Sequence, residues 1–435
     1  MELFNGTLHA FAGANPTQLY SDALQSVLRD GVECAPRGRR IKELQGQTVV
    51  QFLNPADRVT FLRGRRINPF FQLAESLWIL SGRSDVAFLK AFNANMASFS
   101  DDGQFFNASY GERIRYFTKN DLHRQVINPV DQLEDAYLKL KADPDTRQAT
   151  IIISNPLFDN SNYTVKEKGK DIACNLAITF KARDGKLNMT VFNRSNDLHW
   201  GLFGANLCQF STLQEAMATF LGLEVGIYTH TTDSLHVYLD DYGSKITDEV
   251  TAAEQKAFGE YPDWAPEHQY PDWKFDQQPS MAMSWERFDQ FLSYFWGSIE
   301  GNLLNDEMMS NNPLGMYEVL TNQIHFMDAL DPYWAMTLNA MQVYRLVKLN
   351  KWPEALKILS EGVPASTWKA SMMYFLRPML KKRAQNAADA DEAKIYVECL
   401  ETYGLMAKEL ATHLQTNDPA EKDAFLEYLM AGEGQ

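Results

Sequence analysis

Two apolar periodicities alternate along the chain, and the switches between them mark its elements. From Phe71 to Leu89, Leu73, Leu77 and Leu80 recur at helical spacing beside Trp78, which predicts a buried helix. Ser81-Gly82 breaks that helix before a second helical start. Thr150 to Ser154 is a short β-branched run and predicts a strand. Two β-rich runs between Cys174 and Arg194 are joined by Asp184-Gly185, a strong hairpin signal. Leu207, Phe210, Leu213, Met217 and Phe220 stand three and four apart, so Leu207 to Leu221 reads as a core helix. Glu224 to Leu239 returns to strand character. Helices and strands mix without a regular βαβ repeat, which predicts an α+β fold of mixed sheet and packed helices.

Beyond Asp240 the pattern changes. An acidic stretch rich in Pro and Trp carries Tyr-Pro-Asp-Trp at Tyr261 and again at Tyr270, and it reads as a loop with two similar turns. From Ser284 onward the periodicity is helical, with Met and aromatic stripes that read as packing surface. The expected organisation is a first domain over 1–245, a linker over 246–280 and a helical extension over 281–435. The length of 435 residues agrees with two to three domains at roughly 150 residues each.

Composition narrows the function. Lys plus Arg is 41 against 56 Asp plus Glu, a formal charge of −15, which is the wrong sign for tracking a nucleic-acid backbone. A few arginines in one pocket still suffice for a phosphorylated small molecule. No apolar run approaches a membrane span, and the N-terminus has neither the basic nor the apolar region of a signal peptide. These features predict a cytoplasmic protein, or one of the host cytoplasm if the source is viral. The four cysteines, Cys34, Cys174, Cys208 and Cys399, form no CxxC pair, and the histidines have no metal-like spacing. Neither a disulfide framework nor a metal site is expected.

The chemistry is concentrated between Asp171 and Tyr238. A hairpin returns its ends to one side, so Cys174 and Arg194-Ser195-Asn196-Asp197 are expected as neighbours. That places a thiol, an arginine, a hydroxyl and a carboxylate around one spot. Arginine presents a planar fork to phosphate and Ser195 adds a hydroxyl. An asparagine amide offers a donor and an acceptor, matching N3–H and O4 of uracil. His236 and Tyr238, two apart on a strand, share a face and suit a sugar hydroxyl. A thiol beside arginines has the setting of a nucleophile. Glu75 sits in an apolar helix with no cation four residues away, so it lies either at the helix surface or deliberately buried. His199 reads as a pocket wall, and Cys208 and Cys399 as core.

These residues, in this order, resemble the thymidylate synthase superfamily, which contains thymidylate synthases and the pyrimidine nucleotide hydroxymethylases. Glu75 in Ala-Glu-Ser-Leu-Trp-Ile-Leu-Ser-Gly is similar to the family's active-site glutamate, and Tyr110-Gly111 to its Tyr-Gly segment. Cys174 matches the nucleophile, Arg194 and Ser195 the phosphate binders, and Asp197 the aspartate that contacts the folate pterin. Asn206 resembles the base-reading asparagine, and His236 and Tyr238 the sugar binders. Arg37 is the best match to the N-terminal phosphate arginine, with Arg39 and Arg40 as alternatives. Arg147 resembles the phosphate arginine lent by a partner subunit, which implies a homodimer.

The resemblance runs from Val32 to Leu239 and departs from the family in three places. Asn175 follows the nucleophile where the synthases carry His. The stretch between Asp197 and Asn206 is one residue longer. A folate-closing tail is not evident, and the helical extension stands in its place. The implied substrates are a pyrimidine nucleoside monophosphate and 5,10-methylenetetrahydrofolate, with Cys174, Glu75 and Tyr110 as catalytic residues. The implied reaction is C5 hydroxymethylation of dUMP through a Cys174–C6 adduct. Reductive methylation to dTMP, a dCMP or CMP hydroxymethylase and a non-catalytic nucleotide binder are the alternatives. Asn206 favours uracil, because cytosine-specific members place Asp there.

Overall fold

A computed structural model describes residues 8–117, 129–159, 169, 171–258, 270–318 and 331–431. The first Tyr-Pro-Asp-Trp, most of the stretch from Met316 to Leu330 and the final residues lie outside these. The chain divides into two compact units, one of residues 1–60 and 75–248, the other of residues 61–74 and 249–435. The segment 61–74 therefore belongs with the C-terminal helices, although its sequence position is N-terminal.

The first unit is α+β. In chain order its elements are β1 (Leu8–Gly13), α1 (Pro16–Asp30), β2 (Val32–Cys34), β3 (Ile41–Leu44) and β4 (Gln47–Phe52). Then come α2 (Pro69–Leu80, shared with the second unit), α3 (Val86–Phe92), α4 (Tyr110–Arg115), α5 (Gln132–Ala142), β5 (Thr150–Ile152) and α6 (Pro156–Asp159). Next are β6 (Asn175–Arg183), β7 (Lys186–Asn193), β8 (Asn196–Asp197), a π-helical segment (Leu198–Asn206) and α7 (Leu207–Leu221). β9 (Glu224–Thr232) and β10 (Leu235–Tyr238) complete the sheets. A six-stranded mixed sheet has the order β1-β4-β9-β7-β6-β5, and a four-stranded sheet the order β2-β3-β10-β8.

The β6–β7 hairpin turns at Asp184 and Gly185, whose φ values of 51° and 74° are those of a type I′ turn. α7 is the central helix: every residue from Leu207 to Ala218 is buried. The run from Glu224 to Leu239 is two strands in two sheets, not one. It bends at Asp233-Ser234, and the Asn196 N–H donates to the Ser234 carbonyl there at 2.8 Å. This bend carries His236 and Tyr238 away from the large sheet and beside β8.

The second unit is helical among its described residues, with Trp285–Tyr294, Pro332–Lys348, Trp352–Gly362, Thr367–Gln385, Ala390–Thr412 and Pro419–Ala431 as its main helices. Asp331, Ser366 and Asp389 cap three of them through side-chain bonds to backbone N–H groups. Its aromatics pack as expected: Trp334 lies 5.4 Å from Phe288 and 5.7 Å from Phe291, and Phe70 stacks on Tyr344 at 5.2 Å. The stretch expected to open as a loop at 246 is instead helical, within Asp241–Phe258.

Candidate active site

Cys174 stands immediately before β6, and Arg194 immediately after β7, so the hairpin pairing brings them together. The Arg194 N–H donates to the Cys174 carbonyl at 3.0 Å, and the guanidinium reaches Ala173 O at 3.0 Å and Cys174 Sγ at 3.7 Å. The register between β6 and β7 slips between Asn175 and Ala177. Such a bulge re-aims the adjoining side chains, and bulges are over-represented next to active sites.

Tyr110 opens α4 and comes to the same place. Its hydroxyl lies against the backbone N–H groups of Cys174 and Asn175 and the Asn175 amide, and burial pushes its pKa well up, with the nearby Cys174 thiol adding to the shift. α4 is held by two buried arginines. Arg113 forms a fork to Asp159 at 2.7 and 2.9 Å, and Arg115 bonds Asp131 at 2.7 Å. Breaking either pair would leave an uncompensated charge beside the site.

Glu75, on α2, is buried, and the structure thus decides between the two readings of its sequence position. One carboxylate oxygen has no partner, and the other receives a hydrogen bond from Gln209 on α7. Burial raises its pKa to about 7, and the Gln209 bond only partly offsets this. A carboxyl poised near neutrality is suited to taking and returning a proton.

Asp197 and His236 are register partners of the parallel β8–β10 pair. The His236 and Tyr238 rings lie 5.4 Å apart, on one face as their spacing predicts. Burial raises the Tyr238 pKa, Asp197 and Cys174 push it the same way, and Arg37 and Arg39 oppose them. Tyr238 thus stands among five of the residues picked out from sequence. Arg39 lies over its ring at 5.2 Å. Arg37 is exposed in a tight turn with φ 53° and has no carboxylate partner among the described residues. Arg40 is engaged elsewhere: it pairs with Glu33 at 2.9 Å, and its N–H donates to Asp240 at 2.7 Å. Of the three, Arg40 is thus the one held in an ion pair, and Arg37 the one in the exposed turn. Ser195 is half-buried between Arg194 and β8, and Arg147 is exposed at the bend before β5.

The stretch between Asp197 and Asn206, where one added residue is expected, is wound as a π-helix over Leu198–Asn206. A wider turn takes in an added residue without shifting the next helix, so Asn206 still stands at the head of α7. Asp197 caps this segment, its Oδ2 accepting from Trp200 N at 2.5 Å. Its Oδ1 is buried and has no partner, as are both polar atoms of the Asn193 amide. Buried acceptors and donors left unmatched are where a polar ligand or water completes the structure.

Asn193, Gln209 and His230 escape the sequence reading, and Asn196 enters it only as a neighbour of Cys174, with no role of its own. Only His230 carried a local signal, since it occupies an inward position in the alternating burial of β9. His199 is a core strut and not a pocket wall; it is fully buried, with Nδ1 2.6 Å from the Tyr20 hydroxyl and Nε2 2.9 Å from Thr247 Oγ1. Cys208 and Cys399 are buried, as expected of core thiols. No described helix is long and apolar enough to cross a membrane.

The chain is similar to known proteins. The thymidylate synthase family profile matches residues 18–261. The deoxyuridylate hydroxymethyltransferase of Bacillus phage SP01 is 51% identical over 371 residues, covering 85% of this chain and 94% of that protein. The protein of the same name from Pseudomonas phage M6 is 38% identical over 226 residues, covering 52% and 60% of the two chains. The thymidylate synthase of Corynebacterium aurimucosum is 28% identical, covering 51% of this chain and 78% of its own. The profile and the long phage match, on top of the assembled thiol, glutamate and arginines, establish that the chain belongs to the thymidylate synthase family.

Proposed function

We propose that the protein is a folate-dependent hydroxymethyltransferase that converts dUMP to 5-hydroxymethyl-dUMP. The observation that carries this reading is the reach of the phage SP01 match. Its 371 residues are more than the chain holds up to residue 261, where the family profile ends, so it extends into the helical unit. The match to the Corynebacterium thymidylate synthase covers 226 residues. The phage M6 hydroxymethyltransferase also matches over only 226 residues, so it is the length and the 51% identity of the SP01 match together that favour hydroxymethyl transfer.

The work is divided among the site residues. Arg37, Arg194 and Ser195 bind the phosphate, His236 and Tyr238 the sugar, and Asn206 the uracil edge. Cys174 adds through sulfur to C6, and the displaced electron pair makes C5 nucleophilic. 5,10-Methylenetetrahydrofolate supplies a one-carbon unit at the oxidation level of formaldehyde. The unmatched Asp197 Oδ1 is an acceptor suited to a pterin N–H. Glu75 takes the C5 proton once the new carbon bond exists, and the bond from that carbon to the folate nitrogen then breaks, so that tetrahydrofolate leaves. Water then adds to the exocyclic carbon of the pyrimidine, and the Cys174 sulfur leaves C6. Tyr110 keeps its hydroxyl proton and holds the backbone around the sulfur.

An absorbance assay separates this from reductive methylation. Hydroxymethyl transfer produces no dihydrofolate; its accumulation in step with product would make the enzyme a thymidylate synthase. We further propose a homodimer in which Arg147 reaches the partner's phosphate site. Its exposure beside β5 supports this. Arg147→Ala mixed with Cys174→Ala should regain activity through heterodimers, and no recovery would count against a shared site.

A further inference from the structure

A buried line of hydrogen bonds runs from Tyr228 to Glu75. The Tyr228 hydroxyl lies 2.7 Å from His230 Nδ1, and His230 Nε2 lies 2.6 Å from Asn196 Nδ2. Asn196 Nδ2 also donates to Asn206 Oδ1 at 3.2 Å, and Asn206 Nδ2 donates to Gln209 Oε1 at 3.0 Å. Gln209 in turn donates to Glu75. All six residues are buried. They come from β9, β8, the end of the π-helical segment, α7 and α2, so the line is a product of the fold.

The line has a direction. Both N–H bonds of the Asn196 amide are given away, so His230 Nε2 is an acceptor and the ring proton sits on Nδ1, facing Tyr228. His230 is neutral, since burial depresses its pKa to about 3. The Asn196 oxygen rests against Gly201, where any Cβ would overlap it. Asn206 therefore presents oxygen on its Asn196 side and nitrogen on its Gln209–Glu75 side.

That order is the one uracil needs. Around the pyrimidine ring C6, C5, C4 and N3 come in turn, with Cys174 assigned to C6 and Glu75 to C5. The amide end nearer Glu75 then meets the substituent on C4, and the end nearer Asn196 meets N3. Nitrogen at the first accepts no proton but donates to O4, and oxygen at the second accepts from N3–H. Cytosine, with an amino group on C4 and a bare N3, needs the reverse. An asparagine standing alone turns over freely and reads both. Here a turn of Asn206 reverses every bond in the line and sets an amide oxygen against the Glu75 carboxylate. The reversed order would give the Tyr228 hydrogen an acceptor in Nδ1, but above pH 7, where Glu75 is ionised, the charge-assisted bond to it is the stronger of the two.

We propose that Asn196 and His230 are positioning residues that lock the Asn206 amide in its uracil-reading order and so set the base specificity of the enzyme. The proposal rests on the reading of the site as one for dUMP.

Asn196→Asp tests it. A carboxylate only accepts, so it draws the Asn206 nitrogen toward itself and accepts a hydrogen bond from His230 Nε2–H, while Tyr228 donates to Nδ1. Titration calorimetry with dUMP and dCMP, folate omitted, reads the ratio of affinities. The expected result is a loss for dUMP with a gain for dCMP, changing the ratio at least about tenfold. A lesion of structure alone weakens both alike. Asn196→Ser, which removes the link without adding charge, should lower the ratio less, through weaker dUMP binding. A wild-type ratio in either variant, shown folded by its melting transition, overturns the proposal. A wild-type enzyme that binds neither nucleotide overturns both this and the dUMP reading.

Discussion

The first turn of α7 and its middle lie beside two buried glutamates kept under opposite conditions. Glu75 and Glu215 are equally buried, at 7% exposure each. Glu215, in the middle of α7, is paired with the buried Arg58, which also donates to Thr212 at 2.7 Å. Glu75, beside the first turn, has a neutral amide for company and one oxygen with no partner. The lesson is that a buried carboxylate given a cation holds structure, whereas one denied a cation is raised toward neutrality, the condition that our proposed proton transfer at Glu75 needs. The second arrangement costs stability and yields a pKa of about 7, where a base is most effective.

The largest expected effect tests whether Glu75 has a reaction to serve. Cys174→Ala should lower product formation by at least about 10⁴-fold, since removal of a covalent nucleophile is among the most damaging single changes. The same variant should form no adduct with 5-fluoro-dUMP by intact-mass measurement. Wild-type adduct formation with retained activity in the variant would dissolve the comparison.

Next come the two glutamates themselves. Glu75→Gln should lower kcat by roughly 10² to 10⁴-fold. Glu215→Gln should instead destabilise the fold by roughly 3–5 kcal/mol, because Arg58 is left buried without its partner. Denaturant melts and activity per folded enzyme separate the two. The pattern fails if Glu215→Gln leaves stability untouched, or if Glu75→Gln is as active as wild type.

The effect of pH sharpens the contrast. The Glu75 carboxyl holds its proton up to about 7 in the folded protein, against 4.5 for an ordinary glutamate. Between those values the folded state binds a proton that the unfolded chain has released. Wild-type stability should therefore fall as pH rises from 4.5 to about 7, by roughly 3 kcal/mol in total. Glu75→Gln should escape that fall and be the more stable protein at pH 8. Its kcat/KM should also lack the rise through pH 7 that is expected of wild type as the base form appears.

The smallest effects concern the arginine turn. Arg37→Ala should raise KM for dUMP about tenfold or more through a lost phosphate contact. Arg40→Ala, whose guanidinium is exposed and paired with Glu33, should change KM less than about twofold. Equal effects would mean that the phosphate arginine was misassigned.

Much of this site is legible in the sequence because its parts are local. Asp184-Gly185 marks the hairpin, and the hairpin alone brings Arg194 to Cys174. The helical spacing around Glu75 and along Leu207–Leu221 survives because both helices are buried on nearly every face. What was not legible depends on pairing across the chain. Asn196 and His230 are 34 residues apart and become a unit only when β8 and β9 converge. Gln209 is one polar position in an apolar helix until Glu75 faces it. The break at Asp233-Ser234 was hidden because apolar alternation runs through both strands, and only the switch of sheet reveals it. The segment 61–74 joins the helical unit through contacts such as Phe70 on Tyr344, which no local pattern announces.

The central claim is that water, and not hydride, completes the reaction on dUMP. Mass spectrometry of the nucleotide formed from dUMP and methylenetetrahydrofolate tests it most directly. The account predicts a product heavier than dUMP by one CH2O unit. A product heavier by one CH2 unit would contradict it.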